Sequence, residues 1–181
     1  RLQFHAGFQV LTGETGAGLY RIEAAVGPGT GTRILNHPQP PAFRESVRVG
    51  EENLYTRAKE LVGDRDPRAH QYTIQMQPFD ADNSGTGLGL PALVALVGGL
   101  LERSTRGATI LVGPLSLGGS MDIIANPVEM AELAVDKQAA TLLMPVSARR
   151  GLNDLQDDIW TKISIEFYSD PADGVFKALT D

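Results

Sequence analysis

The chain has 181 residues, of which 42% are hydrophobic and 21% charged, enough apolar material for one well-packed domain. With no cysteine and three isolated histidines, His5, His37 and His70, it excludes a disulfide framework and a zinc site. A net charge of −6 with scattered Lys and Arg excludes a nucleic-acid backbone as a partner of this segment itself, and no apolar run has membrane-spanning length, so a cytoplasmic protein with no membrane contact is expected. The sequence opens at Arg1 in strand-like residues, and a piece of a longer protein is expected.

Leu2 to Leu11 and Gly18 to Gly27 read as strands, the second alternating in LYRIEAAV, and the turn residues Gly13 to Gly18 predict that they pair. GPGTGT, Gly27 to Thr32, is a tight turn, and Asn36 to Pro41, with three prolines, a surface loop. Glu51 to Val62 is helical by composition and His70 to Pro78 strand-like. Leu88 to Arg103 is apolar on nearly every side, which predicts a central helix buried all round, with Leu93, Val94, Val97 and Leu100 in the core. Ala108 to Val112 is a short strand, Ser120 to Ile124 another, Pro127 to Gln138 a helix, Thr141 to Pro145 a buried strand, and Ser164 to Tyr168 a last strand before a short C-terminal helix. Strands and helices alternate in the second half, so the class is α/β with a mixed sheet. Asn126 as N-cap, Pro127 at the first helical position and Glu129 three residues after the cap predict a capping box.

The stretch most suggestive of chemistry is DADNSGTGLGL, Asp80 to Leu90, where Ser84 sits in a glycine-rich turn ahead of the apolar helix. Small neighbours let a substrate backbone approach, and the first turn of the helix offers free N–H groups suited to an oxyanion. The competing reading is a strand-to-helix connection with an incidental serine. No Gly-Lys-Ser/Thr follows a glycine run, which excludes a P-loop, and Pro91 stands where an EF-hand requires a bidentate Glu.

From Ser84 to Asp154 the chain resembles the proteolytic domain of Lon, the ATP-dependent serine protease with a Ser-Lys dyad, through NSG followed by PALVALV, VGPLSLGGSM, and ELAVDKQAATLLMPVSARRGL. The first half matches more loosely, through GPGTGT and the helix RESVRVGEENLYTRAKELV. The run GSMDIIANPVEMAELAVDKQAATLLMPVSARRGLNDL and the ending IEFYSDPAD resemble more closely the C-terminal domain of the Lon-related family of BREX phage-defence systems. The resemblance implies a Lon proteolytic-domain-like fold with ribosomal S5 domain 2-like topology over residues 1–181, forming the C-terminal part of a longer AAA+ ATPase. It further implies ATP and Mg bound in the missing AAA+ region with no cofactor or metal in this domain, self-association into a ring, a peptide or protein substrate, and DNA contacts only through other regions. For the isolated domain, an acidic chain without a long exposed apolar stripe, weak self-association is expected.

The carry-over of the dyad is incomplete. Ser84 falls on the nucleophile position, but Met130 stands where the family carries the dyad lysine, and a thioether cannot accept the serine proton. Val112 replaces a threonine that orients that lysine, and the histidine-bearing strand ahead of the serine reads IQMQP, Ile74 to Pro78. Of the four lysines, Lys59, Lys137, Lys162 and Lys177, only Lys137 shares a helix face with Met130. At 1.5 Å per residue it lies roughly 10 Å further along the axis, beyond the roughly 6 Å reach of its side chain; otherwise it is a solvated cation in the last helical turn. Three readings follow: an assembly module of an AAA+ motor without peptidase activity, an ATP-dependent serine peptidase with Ser84 as nucleophile, and, last, a small-molecule kinase of the mevalonate or homoserine type. The kinase loop continues into Ser-Ser-Ala where this chain has Pro91-Ala92.

Overall fold

The structure, a computed structural model, describes residues 3–13, 16–79, 87–121 and 123–180, with side chains from residue 19 onward. Its frame is a mixed sheet. β1 (Gln3–Gly13) and β2 (Gly16–Pro28) form the expected antiparallel hairpin, in unbroken register from Gln3↔Val26 to Gly13↔Gly16. β3 (Thr32–Ile34), which the sequence did not reveal, lies parallel to β4 (His70–Pro78), and β4 pairs antiparallel with β2. β5 (Thr109–Leu111), β6 (Thr141–Pro145) and β7 (Ser164–Tyr168) extend the sheet in parallel beyond β1, giving the order β3-β4-β2-β1-β5-β6-β7. Among the described strands only β2 runs against the rest, so the carboxyl ends of the other six gather at one edge.

Both faces of the sheet are covered at β5 and β6, whose residues are all buried, which is why these two read as short runs without charged residues. Successive residues still point to opposite faces. Tyr20, Ile22, Ala24 and Val26 of β2, Leu111 of β5 and Leu143 of β6 enter one core; Leu19, Ile110, Leu142 and Met144 enter the other.

The helices follow in chain order as α1 (Pro41–Thr56), α2 (Ala58–Val62), α3 (Gly89–Leu101), α4 (Pro127–Asp136), α5 (Asp157–Lys162) and α6 (Pro171–Ala178). The first three and α6 cover the first core, α4 and α5 the second. α3 behaves as its composition requires: every residue from Gly89 to Leu100 is buried, and Leu93, Val94, Val97 and Leu100 are at most 3% exposed. It stops at Leu101 because Glu102 takes the left-handed conformation (φ 57°) and Arg103 N–H caps Gly98 O at 2.9 Å.

Besides β3 and α5, which the sequence does not reveal, two expected elements differ from expectation. α1 starts at Pro41, well ahead of Glu51, because its buried stripe mixes Phe43, Val47 and Leu54 with Ser46, Gly50 and Asn53, so hydrophobic periodicity alone does not mark it. The small residues are required by a close crossing: a Cβ at Gly50 would lie 3.1 Å from Leu93 N and 3.2 Å from Gly89 O of α3. Of the strand expected over Ser120 to Ile124, the described residues 120, 121, 123 and 124 form none. Leu115 and Met121 make an isolated antiparallel bridge that closes a tight turn between them.

At the opposite end of the sheet, Arg106 grips Glu166 of β7 with two hydrogen bonds of 3.1 Å and also donates to Lys177 O at 3.0 Å, tying the segment after α3 to β7 and α6. These bonds from Arg106 hold the Glu166 carboxyl below the usual carboxylate range, against a smaller opposing effect of burial.

Two expectations come from this frame. Leu96→Ala, at a fully buried position of α3, lowers stability by about 2–5 kcal/mol in urea unfolding. Because the folded pKa of Glu166 is depressed, its contribution is fully present above the unfolded carboxyl pKa and is lost as pH falls through the folded value. The stability gap between the native chain and Glu166→Gln, below about 1 kcal/mol for a pair this exposed, is therefore constant at neutral pH and closes in acid.

Candidate functional site

In open sheets with parallel strands, the connections beyond the carboxyl ends are where sites are built. Here the segments following β4, β5, β6 and β7 meet at that edge. The connection from β4 to α3 contains Ser84, which lies outside the described residues with 80–86 as a whole. The described chain resumes at Gly87, whose φ of +75° suits glycine, and Leu88, the N-cap of α3. No hydroxyl or other nucleophile stands in this last part of the turn.

The N–H groups expected to be free for an oxyanion are in part engaged. Leu88 N–H donates to the buried Ser46 Oγ at 3.2 Å, and Leu90 N–H donates to Gly113 O at 3.0 Å, so α3 is docked on α1 and on the end of β5. Gly113 fits there because a Cβ would lie 2.7 Å from both Leu90 Cβ and the Tyr168 hydroxyl. That hydroxyl donates to Val112 O, and burial pushes the Tyr168 phenol far above its ordinary pKa, so it acts as a neutral strut. Nothing in the sequence spacing singled out Tyr168.

Met130 and Val112 are brought together in the second core, each 1% exposed, among Leu19, Ile110, Met144, Ala148 and Leu152. The side chains that share this core with them are apolar. Lys137 is exposed at the C-cap of α4, where its N–H bonds Leu133 O at 2.9 Å, at the far end of the helix from Asn126. The helix start is placed as expected at Asn126 and Pro127, but the capping box is not made. The Asn126 side chain caps no backbone N–H and instead donates through Nδ2 to Glu129 Oε2 at 3.0 Å, because Asn126 takes φ −142° and ψ 63°.

A polar clamp that periodicity did not reveal fixes the turn after β5. Asn53, fully buried in α1, donates through Nδ2 to Val49 O (2.9 Å) and Ser116 O (3.1 Å), and its Oδ1 accepts from Arg57 Nε (3.2 Å). Arg57 Nη2 in turn donates to Gly118 O at 2.9 Å. The turn closes on itself through Gly119 N–H to Ser116 O (3.0 Å) and a 2.6 Å contact between the Ser116 and Ser120 hydroxyls. Gly119 has φ +84°, and a Cβ there would lie 2.0 Å from Arg57 Nη2. Ser46, Asn53 and Arg57, spaced seven and four apart, lie on one face of α1, so one stripe holds both the start of α3 and the β5 turn.

Two cavities of about 300 Å³ each open at this edge. One lies between α1, the Gly87–Gly89 turn and Pro114–Leu115, with Glu45 and Ser46 on its wall. The other lies beyond β6 and β7 and is lined by residues 119–121, 145–147 and 168–170. Among the described residues no group of three His, Asp or Glu side chains gathers to hold a metal ion, and no helix is long and apolar enough to cross a membrane.

The sequence model of the family described as ChlI, subunit ChlI of Mg-chelatase, matches residues 45–148, more than half of the chain. The chain belongs to this family. It is also homologous to proteins named Lon-like protease BrxL: 27% identical to that of Escherichia coli over 172 residues, 94% of this chain and 25% of the relative, and 24% identical to that of Bacillus cereus over 176 residues, 95% and 26%. A protein named Lon protease from Methylocella silvestris is 27% identical over 155 residues, 84% of this chain and 19% of the relative. The chain thus spans about a quarter of the length of the BrxL relatives and is a Lon-related α/β domain.

Within this Lon-related domain the Asn53 clamp has a measurable consequence. Asn53→Ala leaves the Ser116 carbonyl short of a donor and frees Arg57, costing about 1–3 kcal/mol. Hydrogen exchange at Gly119 and Ser120 quickens in Asn53→Ala and in Arg57→Ala; unchanged protection in both variants would contradict the clamp.

Proposed function

We propose that the chain is the Lon-like C-terminal module of a longer AAA+ protein of a BREX-type phage-defence system, that it serves assembly, and that it has no peptidase activity. The observation that carries this reading is the burial of both Met130 and Val112 in the same apolar core. A Ser-Lys dyad needs an amine that is neutral when it takes the serine proton yet held by polar neighbours. Here a thioether stands at that place, a valine stands where its orienting partner would be, and Lys137 is two turns away and exposed. The engagement of Leu88 and Leu90 N–H further weakens an oxyanion role for the start of α3.

The similarity to proteins named BrxL supports the setting. In that setting the remaining three-quarters of a relative-sized protein carries the AAA+ ATPase, binds ATP and Mg and makes any DNA contact, while this domain packs into a ring and the protein works in the cytoplasm. The names of the Lon protease relatives favour a second reading, an ATP-dependent serine peptidase in which Ser84 is the nucleophile.

Proteolysis by the full-length protein separates the two. With ATP and an unfolded casein substrate, no cleavage above background is expected, and Ser84→Ala behaves as the unaltered protein does. Cleavage that disappears in Ser84→Ala, or labelling of Ser84 by a serine-reactive probe, establishes the peptidase instead. Met130→Lys is expected to restore no activity and to destabilise the domain by several kcal/mol, since it places an unpaired ammonium in the second core.

A further inference from the structure

The cavity beyond β6 and β7 takes no part in the function proposed above. Its walls come from three segments: the turn at Gly119, Ser120 and Met121, the start of the 3-10 segment after β6 at Pro145 to Ser147, and the entry to α6 at Tyr168 to Asp170. They contribute the hydroxyls of Ser120, Ser147 and Ser169, one carboxylate and no basic side chain, while the Tyr168 hydroxyl is bound to Val112 O. Asp170 is held in place because it accepts Asp173 N–H at 2.8 Å as the N-cap of α6, and a carboxylate so engaged keeps other lone pairs for a ligand. The rest of the lining is apolar, from Met121, Pro145, Val146 and the Tyr168 ring.

Around this cavity lie large aliphatic side chains that water does not favour. Leu117 is 64% exposed, Ile123 86% and Val146 44%, and all three belong to the segments that wall the cavity or lie within two residues of them. A single exposed aliphatic side chain needs no explanation; three grouped round a cavity mark an interaction surface.

We propose that this edge docks a protein segment that places an arginine or lysine side chain in the cavity against Asp170 and rests apolar neighbours on Leu117, Ile123 and Val146. Charge decides the occupant. An anion would meet Asp170 with no lining base to offset it, and a purely apolar group would leave the Asp170 carboxylate facing it without a partner, while the Ser120 and Ser169 hydroxyls are already engaged with Ser116 Oγ and Asp173 Oδ2. A basic side chain satisfies both parts of the lining, its donors facing the carboxylate and hydroxyls and its aliphatic stem lying along the apolar wall. The net charge of −6 favours the approach of such a segment. The Arg57 guanidinium stands behind Gly119 and is bound to Asn53 and Gly118, so it directs the cation toward the Asp170 end. The docking surface is independent of peptidase activity, because it uses neither Ser84 nor the core around Met130.

The test is an NMR titration of the ¹⁵N-labelled 181-residue chain with N-acetyl-Leu-Arg-Leu-amide and with the same peptide carrying citrulline, which keeps the shape of arginine and loses its charge. The amides of Gly119, Ser120, Ser147 and Asp170 are expected to shift, and the citrulline peptide to bind about fivefold more weakly, the size of a partly screened ion pair. Asp170→Asn preserves the N-cap; it should weaken the arginine peptide about fivefold and leave the citrulline peptide unchanged. Ile123→Ser, at an exposed position, should weaken both. Equal binding of the two peptides, shifts elsewhere or no shifts would overturn the proposal. So would concentration-dependent shifts of these same amides that the peptide does not reverse, which would make the surface a contact between copies of this chain.

Discussion

Burial of α3 on all sides is the constraint from which the rest of this architecture follows. A helix that is apolar around its whole circumference must be covered by more than a sheet. The sheet supplies one side, through Ile22, Ala24 and neighbouring residues, and α1, α2 and α6 supply the others. Covering α3 closely forces α1 to present small groups at the crossing, which is why Gly50 and Ser46 occupy a stripe where a more ordinary amphipathic helix would carry leucine. The same closeness brings the polar members of the stripe within reach of the loops at the sheet edge. The packing of the core and the positioning of the edge are therefore one arrangement.

That arrangement leaves the edge rigid in some places and open in others. Leu90 N–H on Gly113 O, Tyr168 on Val112 O and the Asn53–Arg57 clamp hold the ends of β5 and β7, the turn after β5 and the start of α3 in fixed relation. Each bond satisfies a backbone group that the end of an element would otherwise leave without a partner. Between these ties lie the two cavities, and their character differs. The one against α1 abuts the connection that holds Ser84, whereas the one beyond β7 combines a fixed carboxylate with an apolar rim.

The elements readable in the sequence were those whose burial writes a period or a continuous run. β4 and β6 were placed at their observed bounds, and α3 followed from its apolar composition. β3 was missed because three residues, Thr32, Arg33 and Ile34, carry no pattern, and its pairing depends on β4, which lies far along the chain. The first half of α1 is legible only through the family resemblance, which places a helix from Arg44, because its contacts are made by Ser46, Gly50 and Asn53, residues that read as loop when taken singly. At the site, Met130 and Val112 were found through the family resemblance, while Tyr168, Asn53 and Arg57 act by reaching backbone carbonyls far away in sequence. The capping box failed for a related reason: Asn126 and Glu129 have the right spacing, but the backbone at Asn126 turns its amide toward the glutamate and away from the helix N–H groups.

Met130 and Val112 are compatible with one another within a single apolar core. A lysine at position 130 would enter the second core as a charge and would need a hydroxyl or carbonyl nearby to hold it, a role that a threonine at 112 fills and a valine does not. With methionine at 130, a hydroxyl at 112 would itself be a polar group in an apolar surrounding, and valine removes that cost. Each residue favours the other, and both are sealed by Leu19, Ile110 and Met144 from the sheet and by Ala148 and Leu152 from the segment after β6. An amine at position 130 would stand among side chains packed as hydrocarbon, so Met130→Lys taken alone is unfavourable whatever residue occupies position 112.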